Sequence, residues 1–379
     1  MDVKEMAEKI IIYGAKSIAL GVSHAIQSLY PERTVLGFMV TSADENPRHL
    51  NGLPVMDIET CLQRYFCWKR PGSYKKDEVT ILIGTPETVH SEIIGVLERY
   101  GFTNYVCIDW ELEERLMDAY YARGGQFRSL HDSVDFGQRK KLQLCADGIC
   151  VYRAKCHRDA KVINLDGERN WMHAVQAGAS VTDIRVAEEL DNEGENISEK
   201  NGNYCELTVL YWMWKNRINM EKDDSAYYGL FQSRRLLNIK DTEIQWILEK
   251  APDAILPFPT LHEPDIREHH ERYIKEEDWN AMMQALYELQ PDYAKAFGKL
   301  LRQPYFYNYN MIIAKKKVLQ DYCGWLFPIL ERTESLSKPR GCDREDRYIG
   351  YLGESLMTLY FLYHAKQLKI FHTGRIMLV

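Results

Sequence analysis

No run of apolar residues in this chain reaches the ~18 needed to cross a bilayer. The first nine residues alternate acidic and basic side chains and lack the charged-then-apolar order of a signal peptide. These two absences set the expectation of a cytoplasmic protein. Excess positive charge is also missing. The 379 residues carry 48 Lys and Arg against 55 Asp and Glu, a net charge of −7, which argues against nucleic acid as a main partner. The nine cysteines are odd in number and form no C-x-x-C, so reduced thiols are expected rather than a disulfide framework. The His/carboxylate run at residues 262–271 misses the H-E-x-x-H spacing of a zinc site, because position 266 is Ile. What is present is ordinary for a globular protein: 45% hydrophobic and 27% charged residues, with length enough for two cores.

The N-terminal third reads as alternating strands and helices. Strands are expected at residues 9–14, 34–40, 79–83 and 105–109, with helices at 17–29, 90–100 and 112–121. That alternation indicates βαβ units and a parallel sheet, a Rossmann-like domain over residues 1–125. The first turn carries Gly14 and Gly21 but no G-x-G-x-x-G, and no acid closes the second strand at Val40. Both points oppose an oxidoreductase with a nicotinamide cofactor. Binding of another nucleotide or sugar, and a scaffold role, stay open. Thr85 and Pro86 stand at the usual ligand edge of such a sheet and equally fit a plain turn. The glycine-broken, polar stretch that follows is expected as a linker over residues 126–146, with a second domain at 147–379.

Residues 195–216 read E-N-I-S-E-K-N-G-N-Y-C-E-L-T-V-L-Y-W-M-W-K-N, and residues 227–235 read Y-Y-G-L-F-Q-S-R-R. V-Y-R-A-K-C-H-R-D (151–159), V-Q-A-G-A (175–179), N-Y-N-M-I-I-A-K-K (308–316), Y-C-G-W-L-F (322–327) and Y-L-G-E-S-L (351–356) extend the set of blocks. Together they resemble a family of bacterial glycosyltransferases of capsule and exopolysaccharide clusters. The resemblance runs from about residue 149 to the C-terminus and implies a GT-A-like glycosyltransferase domain there. The whole chain is therefore expected to be α/β, a Rossmann-like domain followed by a GT-A-like one. It implies a hexosyltransferase-type reaction, from a nucleotide-sugar donor, expected to be a uridine diphosphate sugar, to a lipid-linked oligosaccharide. The protein would then associate peripherally with the inner face of the cell membrane. The family pattern has His and Tyr where this chain has Gln232 and Ser233. The alternative is therefore a non-catalytic scaffold that binds nucleotide sugars.

In most GT-A enzymes the strand matching residues 227–231 ends in an Asp-x-Asp pair that holds a divalent metal. Here it ends in Gln232, Ser233, Arg234 and Arg235. Two guanidiniums can neutralise a departing diphosphate by bidentate bonds, so no metal or other cofactor is expected and no metal ligand is assigned. His157 and Asp159 close the strand at 149–156 and are expected near the nucleotide, although Asp159 also reads as a turn cap. Asn196, Lys200 and Asn201 precede a helix whose free N–H groups favour an anion. Asn203-x-x-Glu206 has the spacing of a capping box, and Trp214 reads as core. Asn308 and Asn310 sit in an aromatic cluster suited to sugar hydroxyls. Asp265, Glu263 and Glu354, in that order, are the candidate bases. Their structural alternatives are a polar helix start for the first two and a buried, paired carboxylate for Glu354. His372 and Arg375 are further diphosphate candidates. Lys315, Lys316 and Lys317 read as a solvated helix start or as contacts for anionic lipid.

Overall fold

The computed structural model describes residues 6–44, 46–131, 148–159, 169–340 and 344–378. Residues 132–146 of the linker expected at 126–146 lie outside them. The chain divides into two compact units: Met1–Phe127 with Thr260–Glu263, and Arg128–Pro259 with Pro264–Val379.

The first unit is built on β1 (Lys9–Tyr13), β2 (Thr34–Val40), β3 (His49–Leu50), β4 (Leu53–Asp57), β5 (Val79–Ile83) and β6 (Tyr105–Cys107), in the order β3-β4-β2-β1-β5-β6. All pairs are parallel except β3 with β4. Ile10, Ile11 and Ile12 are fully buried, as β-branched residues covered on both sheet faces should be. Helices α1 (Ser17–Leu29), α2 (Ile58–Tyr65), α3 (His90–Arg99) and α4 (Trp110–Gly124) connect or follow the strands. Asp57 and Asp109 cap α2 and α4 by accepting from Thr60 N and Leu112 N. Gly14 takes φ +116° after β1, and a Cβ there would meet Gly84 O at 2.8 Å, so this turn requires glycine. The expected Rossmann-like parallel sheet is present.

The second unit contains β7 (Ile149–Lys155), β8 (Met172–Gln176), β9 (Glu189–Leu190), β10 (Tyr227–Phe231), β11 (Arg235–Leu237), β12 (Ala254–Pro257), β14 (Tyr305–Phe306), β15 (Ile312–Lys315), β16 (Ile370–Thr373) and β17 (Arg375–Met377). The short β13 (Thr260–Leu261) belongs to the first unit. The main sheet runs β16-β12-β15-β10-β7-β8-β9, with β15 antiparallel to both neighbours. The helices are α5 (Asn201–Tyr204), α6 (Leu207–Asn216), α7 (Asp241–Lys250), α8 (Arg267–Tyr273), α9 (Glu276–Leu289), α10 (Pro291–Leu300), α11 (Lys316–Leu336) and α12 (Tyr348–Tyr363). The second unit is thus a mixed, helix-covered α/β sheet, the fold class expected. Every residue of β10 is buried, and Gly229 has no room for a side chain: a Cβ would lie 2.7 Å from Ile313 Cγ1.

Two local expectations are corrected. The single strand expected at 369–379 is two strands, because the chain leaves the main sheet at Gly374, whose carbonyl accepts from Asn238 N. β17 then pairs with β11 in a separate ribbon. Residues 128–130, expected in the linker, lie along β16: His372 N donates to Arg128 O, and Leu130 N to His372 O.

From β7 the chain adds β8 and β9 on one side, then crosses to place β10 on the other. The switch point of the sheet is therefore between β7 and β10, at their carboxyl ends, where open α/β sheets leave a crevice.

Candidate active site

A cleft of ≈390 Å³ opens at that switch point. Its walls include Cys156, Arg158 and Asp159 after β7, Gln232 to Arg235 after β10, Asn201, Cys205 and Glu206 before α6, and Glu345 and Arg347 before α12. Four guanidiniums face three carboxylates, so the cleft is net positive even with every acid ionised, in a chain of net charge −7.

The end of β10 is fixed from behind. Buried Arg153, on β7, donates from Nε to Ser233 O at 2.8 Å. Arg235 donates to Gln232 Oε1 at 3.2 Å, and its guanidinium lies 4.3 Å from the Tyr309 ring centre. Gln232 Nε2 in turn donates to Glu206 Oε1 at 3.3 Å. Asn310 Nδ2 donates to the same oxygen at 2.8 Å and to Gly350 O at 3.1 Å. Tyr309 and Asn310 both take positive φ, 75° and 50°. That strain at non-glycine residues marks a backbone held in place by its surroundings. Tyr309 N donates to Glu354 Oε1 at 2.8 Å, and His269 Nε2 is 3.5 Å from Glu354 Oε2.

The charge of Glu206 acts on Glu354. Burial, then the Glu206 charge, pushes the Glu354 carboxyl up to about 8, against smaller opposing effects of the Tyr309 N–H, Arg235 and Arg347. Burial also raises Glu206. The pair holds a proton near neutral pH.

A second carboxylate organises the loops around the cleft. Asp191 is fully buried and accepts from Gly178 N at 2.8 Å, Ala179 N at 3.0 Å, Thr208 Oγ1 at 2.6 Å and Ser198 Oγ. It ties the loop after β8 to the start of α6.

The cleft brings together Asp159, Asn201, Gln232, Arg234 and Arg235 among the residues expected from sequence. Asp159 also accepts from Cys156 N at 2.7 Å, closing the turn after β7, and His157 Nδ1 stands 3.8 Å from Cys156 Sγ. Asn310 and Glu354 stand behind the cleft through the contacts above. Asn308 Nδ2 is 3.5 Å from His269 Nε2. The others are engaged elsewhere. Lys200 pairs with Glu334 at 2.7 Å, and Asn196 holds its own turn through Asn192 O and Gly194 O. Asp265 is clasped by Arg267, which holds its carboxyl below the usual carboxylate range. Glu263 belongs to the first unit and accepts from Asn51 N at 2.6 Å. His372 is buried, 2.8 Å from Tyr307 OH, and burial lowers it to about 3. Arg375 lies over Tyr309.

Sequence reasoning missed Glu206, Arg158 and Arg347. Glu206 was expected to serve a capping box with Asn203. Instead Asn203 is inside α5, and Glu206 makes no cap bond at the start of α6. Its place in the Y-C-E-L-T block was the available signal. Trp214, expected as core, is half-buried and stacks on Phe327.

The first unit has a larger cleft, ≈660 Å³, at the carboxyl ends of β2 and β4. Asp44, Asp57 and Glu59 line it against Arg99 alone. That balance disfavours an anionic ligand, so size does not decide between the two clefts. Among the described residues no cluster of His, Cys, Asp and Glu is arranged to hold a metal, and no helix is long and apolar enough to cross a membrane.

A family model described as "Domain of unknown function (DUF4422)" matches residues 153–366, more than half of the chain. A solved structure of WbbM, described as a bifunctional glycosyltransferase in its apo form, is similar at 23% identity and a TM-score of 0.49. The match covers 61% of this chain and 45% of that one, so the chain spans less than half of that neighbour. No curated protein matches the chain.

Proposed function

The chain belongs to the family described as "Domain of unknown function (DUF4422)", and from the cleft built by that segment we propose that it is a glycosyltransferase. One observation carries this reading: Arg158, Arg234, Arg235 and Arg347 converge on the switch-point crevice of the second sheet. A nucleoside diphosphate sugar offers the matching anion. The diphosphate lies against the guanidiniums and the sugar extends toward Glu206 and Asn310. The sequence blocks that resemble capsule and exopolysaccharide glycosyltransferases supply the reaction class. The donor is a nucleotide sugar of the uridine type and the acceptor a lipid-linked saccharide.

The reaction breaks the bond between the anomeric carbon and the diphosphate oxygen and forms one to an acceptor hydroxyl oxygen. Charge grows on the leaving diphosphate, and guanidiniums already in place stabilise it without reorganisation. The acceptor proton needs a carboxylate. Glu206 lines the cleft, and burial makes it a stronger base than a solvated glutamate. Glu354, raised to about 8 by burial and by the Glu206 charge, keeps its proton near neutral pH and so adds no second negative charge there. Asp265 and Glu263, the other candidate bases, stand outside this cleft.

Incubation with a panel of nucleotide sugars, with and without a lipid-linked saccharide, tests the proposal. Sugar transfer, or slow donor hydrolysis, is the expected result. Saturable donor binding with no turnover on any acceptor would assign the chain to the scaffold reading instead.

A further inference from the structure

Residues 65–74 of the first unit form a closed loop. Tyr74 N donates to Tyr65 O at 2.8 Å across its neck. Inside, Arg70 N bonds Cys67 O at 2.9 Å and Ser73 N bonds Arg70 O at 3.2 Å. Gly72, at φ 80°, completes the second turn. These turns hold Trp68 outward. It is 83% exposed, more than any other large hydrophobic side chain among the described residues. An indole left in water forgoes the free energy of burial, but single exposed rings are common on protein surfaces, so the setting of this ring decides whether something covers it.

The charge around it indicates what. Arg64, Lys69, Arg70 and Lys75 are all exposed, and no Asp or Glu occurs between residues 64 and 76. The Lys69 ammonium stands 5.3 Å from the Trp68 ring centre. Lys76 is engaged elsewhere, over Phe102 and bonded to Tyr100 O. Glu78, beyond the loop, turns back onto Lys75 N at 2.9 Å. The cluster is thus locally cationic in an acidic chain. A single protruding ring is too small for the core of a stable protein–protein interface, which buries ~800 Å² per partner. One indole ringed by cations instead suits the head-group layer of a bilayer. There the ring lies at the apolar boundary, the indole N–H stays hydrated and the cations meet lipid phosphates.

We propose that the Trp68 loop docks the protein on an anionic lipid surface. The inference stands apart from the transfer chemistry, because it concerns the other unit and its readout is lipid binding.

The full chain is floated with vesicles of phosphatidylcholine alone and of phosphatidylcholine mixed with phosphatidylglycerol. Binding is expected to the mixed vesicles only, weakening with added salt. Lys69→Glu and Arg70→Glu should each lower partition at least about fivefold at low salt. Trp68→Ala should lower it further, and the wild-type emission should shift to the blue on binding where that of Trp68→Ala does not. Circular dichroism confirms that each exposed substitution leaves the fold intact. Equal binding to both vesicles, no binding to either, or full binding by Trp68→Ala would overturn the proposal. So would a Trp68→Ala protein whose oligomeric state changes while vesicle binding does not.

Discussion

Arg235 touches the Tyr309 ring and donates to Gln232, so its charge is set in place before any ligand arrives. Under the proposed reaction, Arg235→Ala should lower kcat by ~10²–10³ with a smaller change in KM, because the charge it meets grows as the bond breaks. Arg235→Lys should recover only part, since an ammonium cannot make the two-pronged contact. Steady-state kinetics on both variants checks this, and near-normal turnover in a folded Arg235→Ala protein would move the role to Arg234. Glu354 allows a test that needs no substrate. Its carboxyl is raised to about 8 in the folded protein, above the ordinary 4.5. Between these pH values the folded state holds more protons than the unfolded state, so stability falls as pH rises through that window. Glu354→Gln keeps an oxygen for Tyr309 N and carries no charge. It should gain a few kcal/mol over wild type near pH 8 and nothing near pH 4, by urea unfolding at the two values.

At the scale of elements, the cleft depends on loops more than on strands. Asp191 gathers four donors from the loop after β8, the 198–200 turn and α6. Asp191→Ala would leave two buried backbone N–H groups and the Ser198 hydroxyl without this acceptor, while Thr208 Oγ1 keeps Cys205 O. A loss on the order of 3–5 kcal/mol is expected, measurable as a lower denaturant midpoint. Asn201, which packs against Gly178, should shift with it, so donor affinity should fall in the protein that remains folded. β10 gives a second test. Gly229→Ala puts a methyl group against Ile313 in the middle of the sheet and should cost ~1–3 kcal/mol, also by denaturant unfolding.

For the molecule as a whole, charge is distributed against its average. A chain of net −7 concentrates arginine at one switch-point cleft. If those guanidiniums carry the electrostatic load of a leaving diphosphate, transfer should persist in excess chelator. Loss of activity with chelator, restored by magnesium or manganese, would show that they do not suffice.

The strands β1, β2, β5 and β10 and the helix α1 were legible in the sequence because each is a local pattern: a β-branched or apolar run, or a helical period, bounded by turn residues. The order of blocks also pointed to Gln232, Arg234 and Arg235, which follow directly from a strand end. Glu206 was not legible. Its spacing from Asn203 has the form of a cap, and only the fold reveals that Asn310, 104 residues away, claims its carboxylate. Glu263 and Asp265, two residues apart in a polar run, look like one cluster in the sequence, yet the chain sends one to each unit. Local propensity determines which segments become strands and helices. Which carboxylates share a low-dielectric pocket depends on contacts between distant segments, and only the tertiary structure decides those.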